Sequence, residues 1–171
     1  MIPYVQIVQT KEKTCMKIAT LAIVTRGNQV LLGLKQGGSE IGDGTLNGPG
    51  GKQEPDETIL ECLIRETEEE VGIVLDPEKV EKLAIITFHA ANVPDFQVHV
   101  YRASSFSGKP RETPSMIPAW YDIDAFPIGR MLDSDREWFP LAIRGKKFRA
   151  NVFYRERAKD FIKIEFYPFI D

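Results

Sequence analysis

The feature that most constrains this chain is a glycine-rich loop that leads into a helix presenting three glutamates on one face. Residues 57–71 show helical spacing at about 100° per residue. The apolar side of this predicted helix carries Leu60, Leu63, Ile64, Thr67 and Val71. Glu66, Glu69 and Glu70 stand at positions i, i+3 and i+4 and share another face. A solvated charged surface explains most glutamate-rich helices, so the residues upstream must distinguish a surface from a site.

Those upstream residues favour a site for an anionic ligand. Gly48, Gly50 and Gly51 stand immediately before Lys52, and only residues 53–56 separate them from the helix. Glycine lets the backbone approach a ligand closely, and a lysine offers a positive charge to a phosphate. Carboxylate oxygens suit Mg²⁺, which commonly bridges protein carboxylates and substrate phosphates. The loop and the helix together therefore predict a magnesium and phosphate site.

The same run resembles the signature of the Nudix hydrolases, G-x5-E-x7-R-E-U-x-E-E-x-G-U, where U is aliphatic. Eight of the nine defined positions match, and the ninth is Thr67 on the buried face. The matching residues are Gly51, Glu57, Arg65, Glu66, Glu69, Glu70, Gly72 and Ile73. So many fixed spacings make a chance match negligible.

The resemblance implies an α/β fold, a Nudix α/β/α sandwich with a mixed β-sheet and the box as loop-helix-loop. It implies hydrolysis of a pyrophosphate bond by water, with Mg²⁺ as cofactor and Mn²⁺ as a substitute. Arg65 and Glu57 would hold the geometry, and the catalytic candidates are Glu69, Glu70 and Arg65. The metal ligands that it implies are the Gly50 carbonyl, Glu66, Glu69 and Glu70.

Outside the box, residues 20–153 resemble the branch of 8-oxo-dGTP diphosphatases. Trp120 in a P-A-W element and residues 131–140, M-L-D-S-D-R-E-W-F-P, carry this likeness. It implies hydrolysis of oxidised purine nucleoside triphosphates to the monophosphate and pyrophosphate. The implied substrate-binding residues are Thr20, Lys35, Asn47, Pro49, Gly50, Gly51, Lys52, Leu132, Ser134 and Asp135.

Three positions depart from that branch. Leu132 stands where the branch has a stacking tryptophan, and Ser134 replaces the first of two adjacent aspartates. Ser115 stands where the branch often has a further glutamate, which leaves open whether Glu112 serves the metal site. Stacking on an aromatic ring contributes about 1–3 kcal/mol per base. We therefore expect a preference for oxidised purines that is weaker than in a full match.

Two alternatives remain open. One is a broad pyrophosphohydrolase of nucleoside diphosphate derivatives. The other is a catalytically weak Nudix module that binds or senses nucleotides, although such modules usually lose box glutamates and this chain retains Glu66, Glu69 and Glu70. A pyrophosphate-release assay on a nucleotide panel separates these hypotheses.

Composition and charge limit the partners and the compartment that we expect for this protein. The net charge is −3 and no long Lys/Arg block exists, which disfavours polymeric nucleic acid as a partner. The sequence contains no stretch of about 20 apolar residues, so it predicts no membrane-spanning helix. The first residues, MIPYVQIVQT, do not resemble a signal peptide. Two cysteines without metal-like spacing fit a reduced cytoplasm. We expect a monomer or homodimer that binds a small-molecule nucleotide.

The pattern along the chain predicts a single domain over 16–171, preceded by an N-terminal arm or extra strand over 1–15. Strands dominate, with a hairpin turn at 26–28 and one further helix over 135–144, capped by Asp133 or Ser134. The predicted strands are 17–25, 29–35, 83–89, 97–103, 120–123, 147–154 and 161–168.

Overall fold

A mixed β-sheet with one helix on each face makes up the structure, a computed structural model that describes residues 15–39 and 41–171. The strands are β1 (Lys17–Arg26), β2 (Gln29–Lys35), β3 (Leu46–Asn47), β4 (Val74–Leu75), β5 (Val80–Ala90), β6 (Val93–Ala103), β7 (Phe106–Ser107), β8 (Met116–Asp122), β9 (Phe148–Glu156) and β10 (Lys159–Tyr167). The helices are α1 (Ile59–Val71) and α2 (Asp135–Ile143), with short 3₁₀ turns at Pro77–Lys79 and Ile128–Arg130.

The main sheet has the strand order β10-β9-β5-β6-β1-β2-β3, and β8 also pairs with β2. Strands β1 and β6 run parallel, as do β5 and β9, while the other pairs are antiparallel. Alternate side chains of β1 enter different cores. Ile23 packs in the cluster that contains Trp138 of α2, and Val24 packs in the cluster that contains Leu63 of α1. The predicted α/β/α sandwich with a mixed sheet is therefore confirmed.

Helix α1 has strong signals at both ends. The Thr58 side chain accepts a hydrogen bond from the Glu61 backbone N–H, and the Glu61 side chain accepts one from Thr58, which forms a capping box. Gly72 ends the helix with φ of 76°, a left-handed conformation that favours glycine. Thr67 fits the buried face because its hydroxyl donates to the Leu63 carbonyl at 2.7 Å. The hydroxyl of Thr67, the one residue that departs from the box, therefore has a hydrogen-bond partner within the helix.

The remaining elements follow the predicted order with shifted bounds. The strand predicted at 120–123 spans Met116–Asp122, and β5 and β6 are longer than predicted. Two short strands, β4 and β7, pair with each other and were not predicted. Helix α2 begins where expected, and Ser134 is its N-cap residue. Its side chain makes no capping hydrogen bond, because the hydroxyl bonds to buried neighbours instead.

The predicted N-terminal arm or strand falls on residues that lie outside the described part, apart from Cys15. No helix within 15–39 and 41–171 is long and apolar enough to cross a membrane.

Candidate active site

A cavity of about 410 Å³ opens on the α2 side of the sheet, bordered by the glycine loop. One end is polar and acidic, and its walls include Gly50, Gly51, Lys52, Glu66 and Glu70. The other end mixes apolar and polar walls, which include Asn47, Phe88, Leu132, Asp135 and Trp138. A single cavity therefore joins the predicted metal and phosphate residues to the predicted base-reading residues.

The glycine loop is fastened to β1 by backbone hydrogen bonds. The Ala22 N–H donates to the Pro49 carbonyl at 2.8 Å, and the Thr20 N–H donates to the Gly51 carbonyl at 2.9 Å. A Cβ on Gly50 would lie 2.0 Å from the Thr20 carbonyl oxygen, and one on Gly51 would lie 2.4 Å from the Glu66 carboxyl. Only glycine fits at position 50, because the loop lies directly against the backbone of β1, whereas a side chain at position 51 would displace the Glu66 carboxyl.

Two of the three glutamates predicted as metal ligands reach the cavity. Glu70 Oε2 accepts a hydrogen bond from the Gly50 N–H at 2.9 Å, and Glu66 accepts one from Arg65 at 2.8 Å. Burial raises the pKa of Glu70 to about 7, against the opposing Gly50 hydrogen bond, and burial also raises the pKa of Glu66. Glu69 lies outside the cavity wall, with its side chain 60% exposed. Burial therefore favours the neutral form of Glu70.

Arg65 holds the carboxylates of the box together. Its guanidinium donates to Glu57 at 2.6 and 2.9 Å, to Glu66 at 2.8 Å and to Glu69 at 3.2 Å. It also donates to the Lys52 carbonyl at 3.1 Å, which links the helix to the glycine loop. Hydrogen bonding from Arg65 lowers the pKa of Glu57 to about 2. Arg65 therefore acts on the geometry of the site, and it does not line the cavity.

The acidic end suits a divalent cation. Glu66 and Glu70 converge beside the backbone of Gly50 and Gly51, and hard oxygen donors of this kind suit Mg²⁺. The mutual repulsion of the carboxylates contributes to raising the pKa of Glu70, and a bound cation would offset that repulsion. Within 15–39 and 41–171, no three Cys, His, Asp or Glu side chains are already grouped around a metal position. Two carboxylates with backbone oxygen are thus the donors that the cavity offers.

The opposite end of the cavity contains the buried carboxyl group of Asp135, in which only one oxygen has hydrogen-bond partners among the described residues. Asp135 Oδ1 accepts hydrogen bonds from Trp138 Nε1 at 3.0 Å and from the Ser134 hydroxyl at 3.3 Å. Asp135 Oδ2 is buried and has no hydrogen-bond partner among the described residues. Burial raises the pKa of Asp135 to about 7. The side chain can therefore offer a ligand either a proton or a lone pair near neutral pH.

The structure brings most of the predicted site residues to one cavity. Those that line it are Thr20, Lys35, Asn47, Gly50, Gly51, Lys52, Glu66, Glu70, Leu132 and Asp135. The Thr20 hydroxyl lies 3.5 Å from the buried Sγ of Cys62 on α1. Pro49 and Ser134 lie outside the cavity wall, and Ser134 bonds to Tyr154 at 2.9 Å.

The structure also locates residues whose position relative to the cavity the sequence did not determine. Glu112 lies 3.4 Å from Gln36 on the surface and does not line the cavity. Trp120 stacks on Phe106 under α1, so it packs against the sheet and does not face the cavity. Sequence reasoning missed Asp95, Phe96, Tyr154 and Arg157, which do line the cavity. The alternation of side chains along β6 and β9 could have indicated that Phe96 and Tyr154 face the cavity. Nothing in the sequence indicated that Arg157, in the turn between β9 and β10, lies at the cavity wall.

The chain resembles known proteins along most of its length. A family model of the NUDIX domain matches residues 16–142. An oxidized purine nucleoside triphosphate hydrolase from Danio rerio is 38% identical over 133 residues, which cover 77% of this chain and 83% of the relative. A protein of the same name from Mus musculus is 34% identical over 142 residues, which cover 82% of this chain and 88% of the relative.

Solved structures give the same architecture. A MutT protein from Bacillus halodurans superposes with a TM-score of 0.76 over 88% of this chain and 97% of that one, at 22% identity. A MutT NUDIX hydrolase from Burkholderia pseudomallei superposes with a TM-score of 0.62 over 77% of this chain and 98% of that one, at 26% identity.

Proposed function

Because this chain belongs to the Nudix family, we propose that it hydrolyses nucleoside triphosphates, with oxidised purine forms such as 8-oxo-dGTP preferred, to the monophosphate and pyrophosphate. The observation that carries the proposal is the single cavity that joins Glu66 and Glu70 to Asn47 and Asp135. The two vertebrate relatives named oxidized purine nucleoside triphosphate hydrolase support this choice of substrate.

The phosphate end of the substrate would lie against the glycine loop. Gly50 and Gly51 bring backbone close to the ligand, and Lys52 supplies a positive charge beside them. Mg²⁺ is the proposed cofactor, which Glu66, Glu69, Glu70 and the Gly50 carbonyl would hold. When bound, it lowers the pKa of a coordinated water and neutralises charge on the phosphoryl oxygens.

Glu70 is the best candidate to accept the proton of the attacking water. It lines the cavity, and the Gly50 N–H fixes one of its oxygens at 2.9 Å. Arg65 would hold Glu66 and Glu69 in place, a positioning role in keeping with its hydrogen bonds to both.

The base would lie between Leu132 and the polar groups at the far end. The Asn47 side-chain oxygen accepts from the Gly48 N–H at 2.9 Å, an arrangement that directs the amide NH₂ away from that contact. Asp135 and Asn47 would then read the purine edge, and Trp138 would form the floor beneath Asp135. Because Leu132 is aliphatic, base stacking contributes less here than an aromatic side chain would supply.

The test is a pyrophosphate-release assay with 8-oxo-dGTP, dGTP, other nucleoside triphosphates and nucleoside diphosphate derivatives, with and without Mg²⁺. We expect the highest kcat/KM for 8-oxo-dGTP and appreciable turnover of the other triphosphates. Equal turnover of diphosphate derivatives and triphosphates would favour a broad pyrophosphohydrolase. Binding without hydrolysis of any nucleotide in Mg²⁺ would favour a sensor module.

A further inference from the structure

Two buried hydroxyl groups lie behind the carboxyl group of Asp135. Tyr154 on β9 lines the cavity and is buried, and Ser134, the N-cap residue of α2, is buried outside the cavity wall. The Tyr154 hydroxyl donates to Ser134 Oγ at 2.9 Å and accepts from the Ser134 backbone N–H at 3.1 Å. The Ser134 hydroxyl donates to Asp135 Oδ1 at 3.3 Å. We refer to Tyr154 and Ser134 as the hydroxyl pair.

The direction of these hydrogen bonds follows from the chemistry of the groups. A backbone N–H can only donate, so the Tyr154 oxygen accepts from Ser134 and the Tyr154 proton points to Ser134 Oγ. The proton of the Ser134 hydroxyl is then the one that reaches Asp135 Oδ1. Burial raises the pKa of Tyr154, so its hydroxyl keeps its proton and remains a donor.

Ser134 does not cap α2 in the usual way. A serine at an N-cap normally accepts a hydrogen bond from a backbone N–H in the first turn, which stabilises the helix. The Ser134 side chain makes no such bond, and its backbone already has helical angles, with φ of −64° and ψ of −29°. The stability of α2 therefore does not explain why this hydroxyl turns toward Tyr154 and Asp135.

Both donors beside Asp135 act on the same oxygen. Oδ1 accepts from the Ser134 hydroxyl and from Trp138 Nε1 at 3.0 Å, whereas Oδ2 has no partner among the described residues. The terminal torsion of an aspartate is broad, so donors fixed on one oxygen hold the group in one orientation. Because both lone pairs of Oδ1 are engaged, the proton of neutral Asp135 resides on Oδ2. Asp135 then presents one defined O–H group at the cavity wall.

We propose that Tyr154, acting through Ser134, is a positioning residue that holds Asp135 with Oδ2 toward the ligand and so sharpens discrimination among purine bases. This inference rests on the proposed function for the identity of the ligand. The serine that replaces the first of two adjacent aspartates supplies a donor to Oδ1, which an ionised carboxylate could not do. Ser134 thus acts on the base from the core.

A purely structural role for the hydroxyl pair makes a different prediction. If the pair only fastens β9 to the start of α2, then Tyr154→Phe and Ser134→Ala lower stability and leave the relative kcat/KM values of purine nucleotides unchanged. If the pair orients Asp135, then either change loosens the carboxyl group and reduces the preference. Because both changes act through one hydrogen bond to Oδ1, their effects should not add in the double variant.

The first measurement compares kcat/KM for 8-oxo-dGTP and dGTP in pyrophosphate release with Mg²⁺. We expect Tyr154→Phe and Ser134→Ala each to lower the ratio by about fivefold, the effect of one hydrogen bond. Most of the change should be in KM, and the double variant should match the single ones. Tyr101→Phe is the matched control, because Tyr101 is also buried but packs in the core under α1 and does not line the cavity. Thermal melts establish that each variant is folded.

The second measurement needs no substrate. The indole N–H of Trp138 donates to Asp135 Oδ1, so its NMR resonance reports on that carboxyl group. Tyr154→Phe leaves the ring in place, and we expect it to shift the Trp138 resonance through Ser134 and Asp135. The resonance of Trp120, which packs in the core under α1, should stay unchanged. The chain has two tryptophans, so Trp120→Phe assigns both signals.

Three results would overturn the proposal: an unchanged purine ratio in both single variants, additive losses in the double variant, or a Trp138 resonance that Tyr154→Phe does not move. A protein that hydrolyses no nucleotide would contradict the proposed function instead. The Trp138 resonance would then decide by itself whether Tyr154 positions Asp135.

Discussion

Replacing Asp135 by asparagine should stabilise this protein, and the gain should grow with pH. Burial raises the pKa of Asp135 from 3.8 to about 7, so the folded state retains a proton that the unfolded chain has already lost. In this window the unfolded state binds fewer protons, and the free energy of unfolding falls as the pH rises. Asparagine avoids this cost because it cannot ionise. Its oxygen can accept the hydrogen bonds from Trp138 and Ser134, and its NH₂ replaces the protonated Oδ2.

The magnitude follows from the pKa shift. Each pH unit between the two pKa values is equivalent to about 1.4 kcal/mol. The full interval therefore amounts to roughly 4 kcal/mol at about pH 8 in favour of Asp135→Asn, as an upper estimate. Urea unfolding of both proteins at several pH values from about 4.5 to 8.5 measures this difference. The gap between them should widen up to about pH 7 and then become constant.

The matched control is Asp133→Asn, two residues away, where the side chain is 63% exposed. Its unfolding free energy should differ from that of the unchanged protein by an amount that does not vary with pH in this window. A gap between Asp135→Asn and the unchanged protein that is the same at every pH would refute the reasoning. So would a lower stability of the variant at high pH. The stabilised variant should also discriminate less between oxidised and normal purines, because it has lost the ionisable group at the base end.

Three other predictions concern activity. Glu70→Gln should lower kcat by several orders of magnitude in pyrophosphate release while the circular dichroism spectrum stays unchanged, and near-normal turnover would exclude Glu70 as the base. Asn47→Ala should alter the order of kcat/KM among nucleotides, whereas Lys52→Ala should weaken all of them alike. An identical pattern for both would contradict their separate roles. Leu132→Trp should raise the preference for 8-oxo-dGTP over dGTP by supplying a stacking surface worth about 1–3 kcal/mol, and an unchanged ratio would place base recognition elsewhere.

Local patterns in the sequence were sufficient to predict the helix and which of its faces is buried. The spacing of Leu63, Thr67 and Val71 predicts their buried face, and the same helix places Glu66 and Glu70 on the cavity side. Thr67 is the one defined position that departs from the box signature, and the structure explains it by a hydrogen bond within the helix. These successes depend on contacts between residues a few positions apart, which helical geometry alone determines.

The part of the cavity wall that Asp95 and Arg157 form could not be predicted, because it depends on contacts between distant parts of the chain. Arg157 meets Asp95 across 62 positions of sequence, and neither residue belongs to a recognisable motif. Ser134 shows the opposite difficulty. Family likeness placed it in the substrate pocket, yet the hydroxyl of Tyr154 from β9 holds it in the core. Whether a side chain such as that of Ser134 lies in the core or in the cavity depends on the strands that pack around it.

The buried thiol beneath the glycine loop has a chemical consequence. Cys62 lies 3.5 Å from the Thr20 hydroxyl and 3.6 Å from the Gly51 carbonyl, and burial raises its pKa to about 11. Oxidation to sulfenic acid begins from the thiolate, which is scarce at such a pKa. Peroxide should therefore spare the residue that supports the loop. An enzyme proposed to act on oxidised nucleotides would thus keep its phosphate site intact under the conditions that generate its substrate.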